Sequence, residues 1–475
     1  MKKQVITLSL LAVVMCSLAV ALLLLLRNPP DVAPPPTLSM LDSVEVLYFE
    51  APIAEVVVNP PGDLASYTVR NTAADGGWGT PESILVGRDE LPVDMAKTNG
   101  LLNTVRWLEA TQLLYESVDD YALFGLTNPS ATVKITDVNG TSATVLIGNF
   151  SPDMGNYYVQ LQGEPAVYHV PTYRISGFIQ PETSFMDTMV IRGTAEYYYA
   201  VQQFTIGGAV REEHGEIVIS PTMPREATPM DLHTHFLRAP IYHPMHYQLG
   251  FETLVTLFGL EAFDIVSIYP SEALLAEYGL DQPYATLKAA CRQFGDFSLQ
   301  ASEPDELGWV YVIREGVPLL YRVRMDLLPW LEMQFYDIMT PAVATLYLDE
   351  IAEVIIDTGA QRYAFSMDHS DITRLGINID GRPAHRNNFM TLAETLRRAR
   401  YEELTFDARP EGLGPELQVT YRYVDGSPDK VISFYPGPSR KYFIEVEEMS
   451  VSFFTTSLYL DRVIAQAAAA ALPNE

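Results

Sequence analysis

The sequence predicts an α+β fold in which an N-terminal transmembrane helix is followed by three related mixed units of antiparallel-type sheet plus helices. Three observations support this prediction. The frame aromatic-Gly-Leu-x-x-Pro-x-Ala-Thr-(Val/Leu)-Lys occurs in residues 120–134 and again in residues 274–288. The strand-like segment IAEVVVN at Ile53–Asn59 returns as IAEVIID at Ile351–Asp357. An uncharged, mostly apolar run, residues 5–26, follows two lysines.

The apolar run predicts a transmembrane signal anchor. At 1.5 Å per residue a helix of this length spans roughly 33 Å, close to the thickness of a bilayer's hydrocarbon core. A cleaved signal peptide is the alternative, but no small-x-small cleavage site follows Leu26. Lys2 and Lys3 favour a cytoplasmic tip of residues 1–4, with the bulk of the chain extracytoplasmic. Residues 27–43 are rich in proline and predict an extended stalk.

Composition narrows the class of protein. A chain of 475 residues is too long for one core, so two to four domains are expected. The formal net charge of -29 argues against electrostatic binding of nucleic acid or of an anionic membrane surface. The two cysteines are Cys16, inside the apolar run, and Cys291, so there is no disulfide framework. This cysteine usage fits a thiol-poor extracytoplasmic protein of a bacterium.

The repeated frame predicts a corner in which a short helix stops and a strand begins. Gly125 and Gly279 stand where a helix ends in a left-handed residue, which glycine adopts without steric cost. Leu126 follows the first glycine and is placed to fold back on Tyr121, as in a Schellman stop. The proline three residues later prevents the helix from resuming. The frame therefore predicts an architecture and carries no group suited to catalysis.

The order of elements predicts three units, residues 44–192, 193–342 and 343–475. Each begins with a strand pair, continues with a helix and ends with further strands and a closing helix. In the third unit the corner is missing. The tyrosines either pack on half-buried strand faces or line a ligand surface, and the sequence leaves both open. The predicted helices cover residues 94–116 and 171–179, then 246–263 and 325–336, then 387–400 and 454–471.

One cluster of residues suggests a chemistry. His233, His235, His243 and His246 lie in one short window, and neutral imidazoles bind Zn²⁺ or Cu²⁺. The segment is also rich in proline, as a surface connection would be, and fortuitous surface histidines or a pH-sensitive contact are the alternative. We therefore assign no catalytic, cofactor-binding or metal-binding residue and no cofactor.

Known catalytic motifs do not change this assignment. The sequence contains no nucleotide-binding glycine loop, no HExxH, no GxSxG and no EF-hand loop. Ser427 and Lys430 satisfy S-x-x-K by letter but fall in a predicted turn, whereas a penicillin-binding nucleophile opens a buried helix. Pairs of acidic residues such as Asp119 and Asp120 are expected by chance in so acidic a chain, and we interpret them as solvent-exposed residues rather than as a catalytic acid/base pair.

Several segments of the first unit stand out together: the strand IAEVVV, Tyr67-Thr68-Val69 with Trp78, the helix LLNTVRWLEATQLL, Phe124-Gly125-Leu126 with Pro129, Leu146-Ile147-Gly148 and Tyr157-Tyr158-Val159. With these segments the chain resembles the domain of unknown function 4340 family. The resemblance covers about residues 44–190, and it is looser in the second unit and looser still in the third. It implies a bacterial, membrane-anchored, extracytoplasmic protein, often encoded beside ABC-transporter permeases, and it brings no catalytic residue.

We therefore expect a non-catalytic, membrane-anchored accessory, scaffold or ligand-binding protein associated with an ABC-type transporter system. Its expected partners are the membrane, through the N-terminal helix, and an ABC-transporter permease or another envelope protein, with no nucleic acid. Two alternatives belong to other classes. One is an extracytoplasmic metal-dependent hydrolase that uses the segment from His233 to His246, and the other is a free-standing envelope ligand-binding protein.

Overall fold

The predicted membrane segments lie outside the part of the chain that the structure describes. The predicted tip (1–4), the anchor (5–26) and all but the last residue of the stalk (27–43) belong there, as do Trp78 and His233. Within the described ranges no helix is long and apolar enough to cross a membrane. The computed structural model describes residues 43–73, 82–152, 155–222, 234–343, 348–370, 375–397, 399–405, 412–446 and 452–473.

Contacts divide the chain into two compact units, Met1–Asp187 and Thr188–Glu475. The strands of the first unit are β1 Val44–Tyr48, β2 Ile53–Asn59, β3 Tyr67–Asn71, β4 Ser83–Leu85, β5 Trp107–Ala110, β6 Gln112–Tyr115, β7 Ala131–Asp137, β8 Ser142–Phe150, β9 Asn156–Leu161 and β10 Val167–Pro171. Its helices are α1 Met95–Arg106 and α2 Thr172–Ile179. Eight described strands form an antiparallel sheet in the order β4-β3-β2-β7-β8-β9-β10-β6, while β1 and β5 pair separately.

The second compact unit contains two large sheets, each of nine described strands, and a small two-stranded one. The strands up to the end of the first of these sheets are β11 Met189–Ile191, β12 Gln203–Gly207, β13 Ile217–Pro221, β14 His235–Ala239, β15 His243–Pro244, β16 Leu260–Glu261, β17 Asp264–Ile268, β18 Ala285–Ala290, β19 Phe297–Ala301, β20 Trp309–Arg314 and β21 Val317–Arg324. Helices α3 Tyr247–Val255 and α4 Glu272–Glu277 belong to the same stretch. The sheet order is β15-β14-β13-β12-β18-β19-β20-β21-β17, and β11 pairs with β16.

The other sheet uses the C-terminal part of the chain. Its strands are β22 Ile351–Asp357, β23 Arg362–Asp368, β24 Gly376–Ile379, β25 Arg382–Pro383, β26 Glu403–Thr405, β27 Leu417–Tyr423, β28 Lys430–Pro436, β29 Lys441–Val446 and β30 Ser452–Thr456. Its helices are α5 Arg386–Arg397 and α6 Ser457–Ala470. The order is β25-β24-β23-β22-β27-β28-β29-β30-β26.

The three large sheets share one connectivity. In each, the first strand (β2, β12 or β22) pairs with the strand that follows it and with the first strand of a four-strand meander. A strand from the middle of the segment (β6, β17 or β26) then pairs with the last strand of that meander and closes the far edge. We call these segments the first, second and third repeats. The α+β class is confirmed, while the predicted boundaries at 192/193 and 342/343 stay predictions.

The structure confirms the predicted corner. Gly125 and Gly279 have φ angles of 72° and 71°. The amide of Leu126 donates to the Tyr121 carbonyl at 3.0 Å, and the amide of Leu280 donates to the Leu275 carbonyl at 2.8 Å. These are the bonds of a Schellman stop. The first helix is only a 3₁₀ turn, Tyr121–Phe124, and the second is α4.

Helix α1 ends ten residues before the predicted end at residue 116, because the chain turns into two short strands there. Leu108 and Ala110 of β5 are buried while Trp107 between the helix and these residues is exposed, which is the alternation of a strand. Leu101, Leu102, Val105 and Leu108 fit either period, so spacing alone extended the predicted helix too far. The predicted helices at 246–263 and 387–400 likewise end early, at Val255 and Arg397.

The predicted closing helix at 325–336 is wrong, since only two 3₁₀ turns form there, Met325–Leu327 and Phe335–Asp337. Pro329 lacks an amide hydrogen, and the carbonyls after it are bonded to Arg211 instead of to a helical turn. The buried Arg211 guanidinium donates to the carbonyls of Trp330, Leu331 and Met333 at 2.6, 3.0 and 2.7 Å. Burial lowers the pKa of Arg211 to about 10, so the side chain stays charged at neutral pH.

Each sheet buries one face. In β20, for example, Val310 and Val312 are buried, while Trp309 and Tyr311 point to the opposite side and are half-buried. We call the less buried side the outer face of a sheet.

Candidate functional site

The predicted histidine cluster is not a converged site among the described residues. His235 lies on β14, and its ring is buried. Its Nδ1 is 2.8 Å from the Thr234 hydroxyl and 3.2 Å from the Tyr198 hydroxyl. Burial lowers the pKa of His235 to about 4, so the ring is neutral at pH 7. His235 is thus a core histidine.

The other described histidines of the window have separate structural roles. His243 is buried, and its Nε2 donates to the Thr340 carbonyl at 2.8 Å. His246 precedes α3, and its Nδ1 accepts a hydrogen bond from the amide of Leu249 at 3.4 Å. Across the part of the chain that the structure describes, no three His, Cys, Asp or Glu side chains are placed to hold a metal ion. His233 lies outside those residues.

Two further candidates also have structural roles. The Cys291 thiol is buried and donates to the Ala200 carbonyl at 3.2 Å. Ser427 lies in the turn between β27 and β28, as predicted, and its hydroxyl donates to Asp425 at 2.8 Å. Neither arrangement supplies an activated nucleophile.

The repeated corner places an aromatic ring on the outer face of its sheet. Phe124 meets Tyr158 of β9 edge to face, with ring centroids 5.0 Å apart. Tyr278 meets Tyr311 of β20 at 4.0 Å. The aromatic residue of the frame therefore packs on the third strand of the meander, and these tyrosines are packing residues.

The second repeat carries an exposed cluster on the outer face that the fold does not require. We call it the Trp309 patch and define it as Phe263, Leu307, Trp309, Arg322 and Arg324. The ring centroids of Phe263 and Trp309 are 4.9 Å apart. Phe263 and Leu307 are 65% and 74% exposed, which is far from core burial.

Two arginines hold the aromatic pair. The Arg322 guanidinium carbon lies 5.2 Å from the Phe263 centroid and 4.9 Å from the Trp309 centroid. Its nitrogens donate to both carboxylate oxygens of Asp264, at 3.0 and 2.5 Å. The Arg324 guanidinium lies 5.1 Å from the Trp309 centroid and donates to the Leu307 carbonyl at 3.0 Å. Cation–π contacts and the bidentate pair fix the rings before any partner binds.

Comparison with the first repeat supplies an internal control. The amide of Phe263 donates to the Arg322 carbonyl at 2.9 Å, and the amide of Thr111 donates to the His169 carbonyl at 2.8 Å in the same way. Strand pairing then makes Trp309 equivalent to Asn156.

The third repeat gives the same result. Glu402 donates its amide to the Phe454 carbonyl at 2.8 Å and so occupies the position of Phe263. Lys441 occupies the position of Trp309. These two positions are polar in one repeat, charged in another and aromatic only in the second, so the shared fold does not dictate the patch.

Sequence reasoning missed the patch because its residues come from three separate segments, at positions 263, 307–309 and 322–324. The alternation of WVYVI placed Trp309 and Tyr311 on one side of a strand, but no local signal showed that Phe263 and Arg322 lie beside them. Phe263 had been assigned to the end of a predicted helix. An alignment of the three repeats by strand register, rather than by residue identity, could have revealed the patch.

Comparison with known proteins identifies one family. Residues 84–231 match the model of the family described as Domain of unknown function (DUF4340), which confirms the resemblance over these residues. The opening strand IAEVVV and Tyr67 precede the matched stretch. No curated protein and no solved structure matches the chain.

Proposed function

We propose that this chain is a non-catalytic, membrane-anchored extracytoplasmic protein that docks a protein partner through the Trp309 patch. The proposed partner belongs to an ABC-type transporter system, in line with what the family resemblance implies. The patch is the single observation that carries the docking proposal.

The composition of the patch supports a protein partner. Interface centres are enriched in Trp, Phe and Arg, and a few such residues dominate the binding free energy. An exposed apolar cluster with a polar edge is typical of an interaction surface. Asp264 and Asp326 supply that edge here, the latter 3.5 Å from the Arg324 Nε. The rings are already oriented by Arg322, which reduces the entropy lost on binding.

The roles of the histidines weigh against the hydrolase alternative. A zinc hydrolase needs neutral imidazoles with free ring nitrogens facing a common point and an open coordination position. His243 uses its Nε2 on the Thr340 carbonyl, and the His246 ring serves a helix terminus. The buried Nε2 of His235 makes no hydrogen bond, but no three His, Cys, Asp or Glu side chains of the described residues are placed to hold a metal ion, so the described part of the window does not favour that function.

The test is co-purification of the tagged full-length chain from its own host in mild detergent, with and without crosslinking. We expect a permease and its ATPase to co-purify in stoichiometric amounts. The double variant Phe263→Thr, Trp309→Asn carries the residues of the first repeat and should fold normally. It should lower recovery of the partner at least about tenfold, as loss of a hot spot does.

Trp107→Asn is the matched control, because Trp107 is also exposed but lies in the first compact unit. It should leave recovery unchanged. A wild-type chain that remains alone even after crosslinking would refute the transporter association. Equal recovery with the double variant would refute the role of the patch.

A further inference from the structure

The third repeat contains a cavity of about 290 Å³ beneath helix α5. The helix and the strands β22 and β27 enclose it, and its walls are mostly apolar. Its inner lining comprises Leu348, Ile351, Val354, Phe389, Ala393 and Tyr421. A dry apolar cavity of ~150 Å³ is known to hold benzene, so this one takes a molecule of roughly twice that size, about ten to twelve heavy atoms.

One polar group in this lining has no partner. Tyr421 is 2% exposed, and among the described residues its hydroxyl makes no hydrogen bond. Burial, with Tyr459 and Tyr423 nearby, raises the pKa of Tyr421 well above its usual value, so the hydroxyl is neutral. Because a phenolic hydroxyl can both donate and accept a hydrogen bond, it can bond to a polar group of a ligand in the cavity that Tyr421 lines.

The mouth of the cavity carries net negative charge. Asp349, Glu394 and Arg397 lie there, and the Arg397 guanidinium donates to Glu394 at 2.9 and 2.6 Å. The Arg397 and Glu394 side chains are 37% and 39% exposed, so this end reaches solvent. Because one arginine faces two carboxylates, an anionic ligand is disfavoured at the mouth.

The first repeat handles the corresponding region differently. There the chain before β2 buries Phe49, whose amide donates to the carbonyl of Arg106 at the end of α1 at 3.0 Å. Counted back from the shared IAEV strand, Leu348 stands three residues before β22, at the position that Glu50 has before β2. In the third repeat an apolar side chain, Leu348, takes this position and lines the cavity.

We infer that the third repeat binds an uncharged apolar ligand of about ten to twelve heavy atoms with one hydrogen-bonding group, held beneath α5 with that group near Tyr421. This site is separate from the Trp309 patch, and the inference does not rest on the proposed partner. It names a chemical class, a neutral amphiphile or hydroxyl-bearing aromatic, rather than one compound.

The experiment titrates naphthol, which matches this class, into the full-length chain held in amphipol, followed by calorimetry. Naphthoate is the anionic comparison, and an amphipol blank corrects for partitioning. We expect saturable binding of naphthol at one site and at least fivefold weaker binding of naphthoate.

Three variants locate the site. Leu348→Phe enlarges a side chain that lines the cavity and should weaken naphthol binding at least tenfold, with a melting temperature no lower than that of the wild type. Tyr421→Phe should weaken it about fivefold, the loss of one hydrogen bond. Leu458→Phe makes the same change on the exposed side of α6 and should have no effect.

Absence of saturable naphthol binding to the folded wild-type chain would overturn the inference. So would equal binding by Leu348→Phe, whose melting temperature shows whether it is folded. The Phe263→Thr, Trp309→Asn variant should bind naphthol normally, which separates failure of this inference from failure of the proposed docking.

Discussion

Replacement of Arg211 by methionine tests how much this buried side chain stabilises the second repeat. The side chain donates to four buried carbonyls, those of Gly207, Trp330, Leu331 and Met333. No carboxylate bonds to it among the described residues, so the carbonyls alone compensate the buried charge. Methionine fills much of the volume but supplies no donor.

The expected loss of stability follows from these hydrogen bonds. Each buried carbonyl left without a donor costs about 1–3 kcal/mol, although the carbonyls can rearrange and removal of a buried charge offsets part of the loss. We expect Arg211→Met to lower the free energy of unfolding by about 3–5 kcal/mol. At roughly 2 °C per kcal/mol for a unit of this size, the melting temperature falls by about 6–10 °C.

The assay is thermal unfolding of the full-length chain followed by tryptophan fluorescence, because Trp330 is fully buried in the segment that Arg211 holds. Arg314→Met is the control. Arg314 is half-buried and donates one bond, from Nη1 to the Val190 carbonyl at 3.0 Å, so its loss should cost about 1 kcal/mol. If Arg211→Met lowers the melting temperature no more than this control does, the reasoning is wrong.

The remaining predictions concern three other features. The pKa of His235 is about 4 in the folded state and about 6.5 when unfolded, so the unfolded chain binds the extra proton between these values. The contribution of the neutral His235 to the free energy of unfolding should therefore be complete above pH 6.5 and should fall by about 3 kcal/mol towards pH 4. Urea titrations at several pH values measure this dependence, and His235→Gln should flatten it. Gly279→Ala should lower the free energy of unfolding by about 1 kcal/mol, because of the left-handed φ alone. Gly125→Ala should lower it by at least about 2 kcal/mol, because a Cβ there also meets side-chain and backbone atoms of Asn149. Equal melting temperatures for the two variants would contradict this. Deletion of residues 1–42 should move the protein from the membrane fraction to the soluble fraction, and a deleted chain that still sediments with membranes would refute the predicted anchor.

Local chemistry made the corner predictable. Gly125 and the proline that follows restrict the backbone through their own covalent structure, so their effect does not depend on the rest of the fold. The strands of each meander were predictable for a related reason, since a period of two persists over five or more residues. The repeated IAEV segments then placed the first strand of two repeats.

Features that depend on distant neighbours were not predictable. The end of α1 at Arg106 depends on β1 being available to pair with Trp107, which no pattern inside the helix records. The absence of a regular helix after β21 depends on Arg211, far away in sequence. The histidines suggested metal ligands because they are close together in the sequence. The burial of His235, in contrast, is a property of the packed core and cannot be inferred from sequence proximity.

The way each sheet closes has a consequence for how the chain folds. The strand that completes the far edge is made long before its partner, as contacts between residues 57, 58 and 54 positions apart across these edges show in the three repeats. Loops of this length must close before the edge pairs form, which raises the contact order and slows folding. During synthesis from the N-terminus, the strand that will become the edge stays unpaired until its own repeat is nearly complete. While it is unpaired, that strand can pair incorrectly with another strand, above all with the equivalent strands of the other two repeats. The three repeats carry different side chains at this edge, and this difference reduces such mispairing.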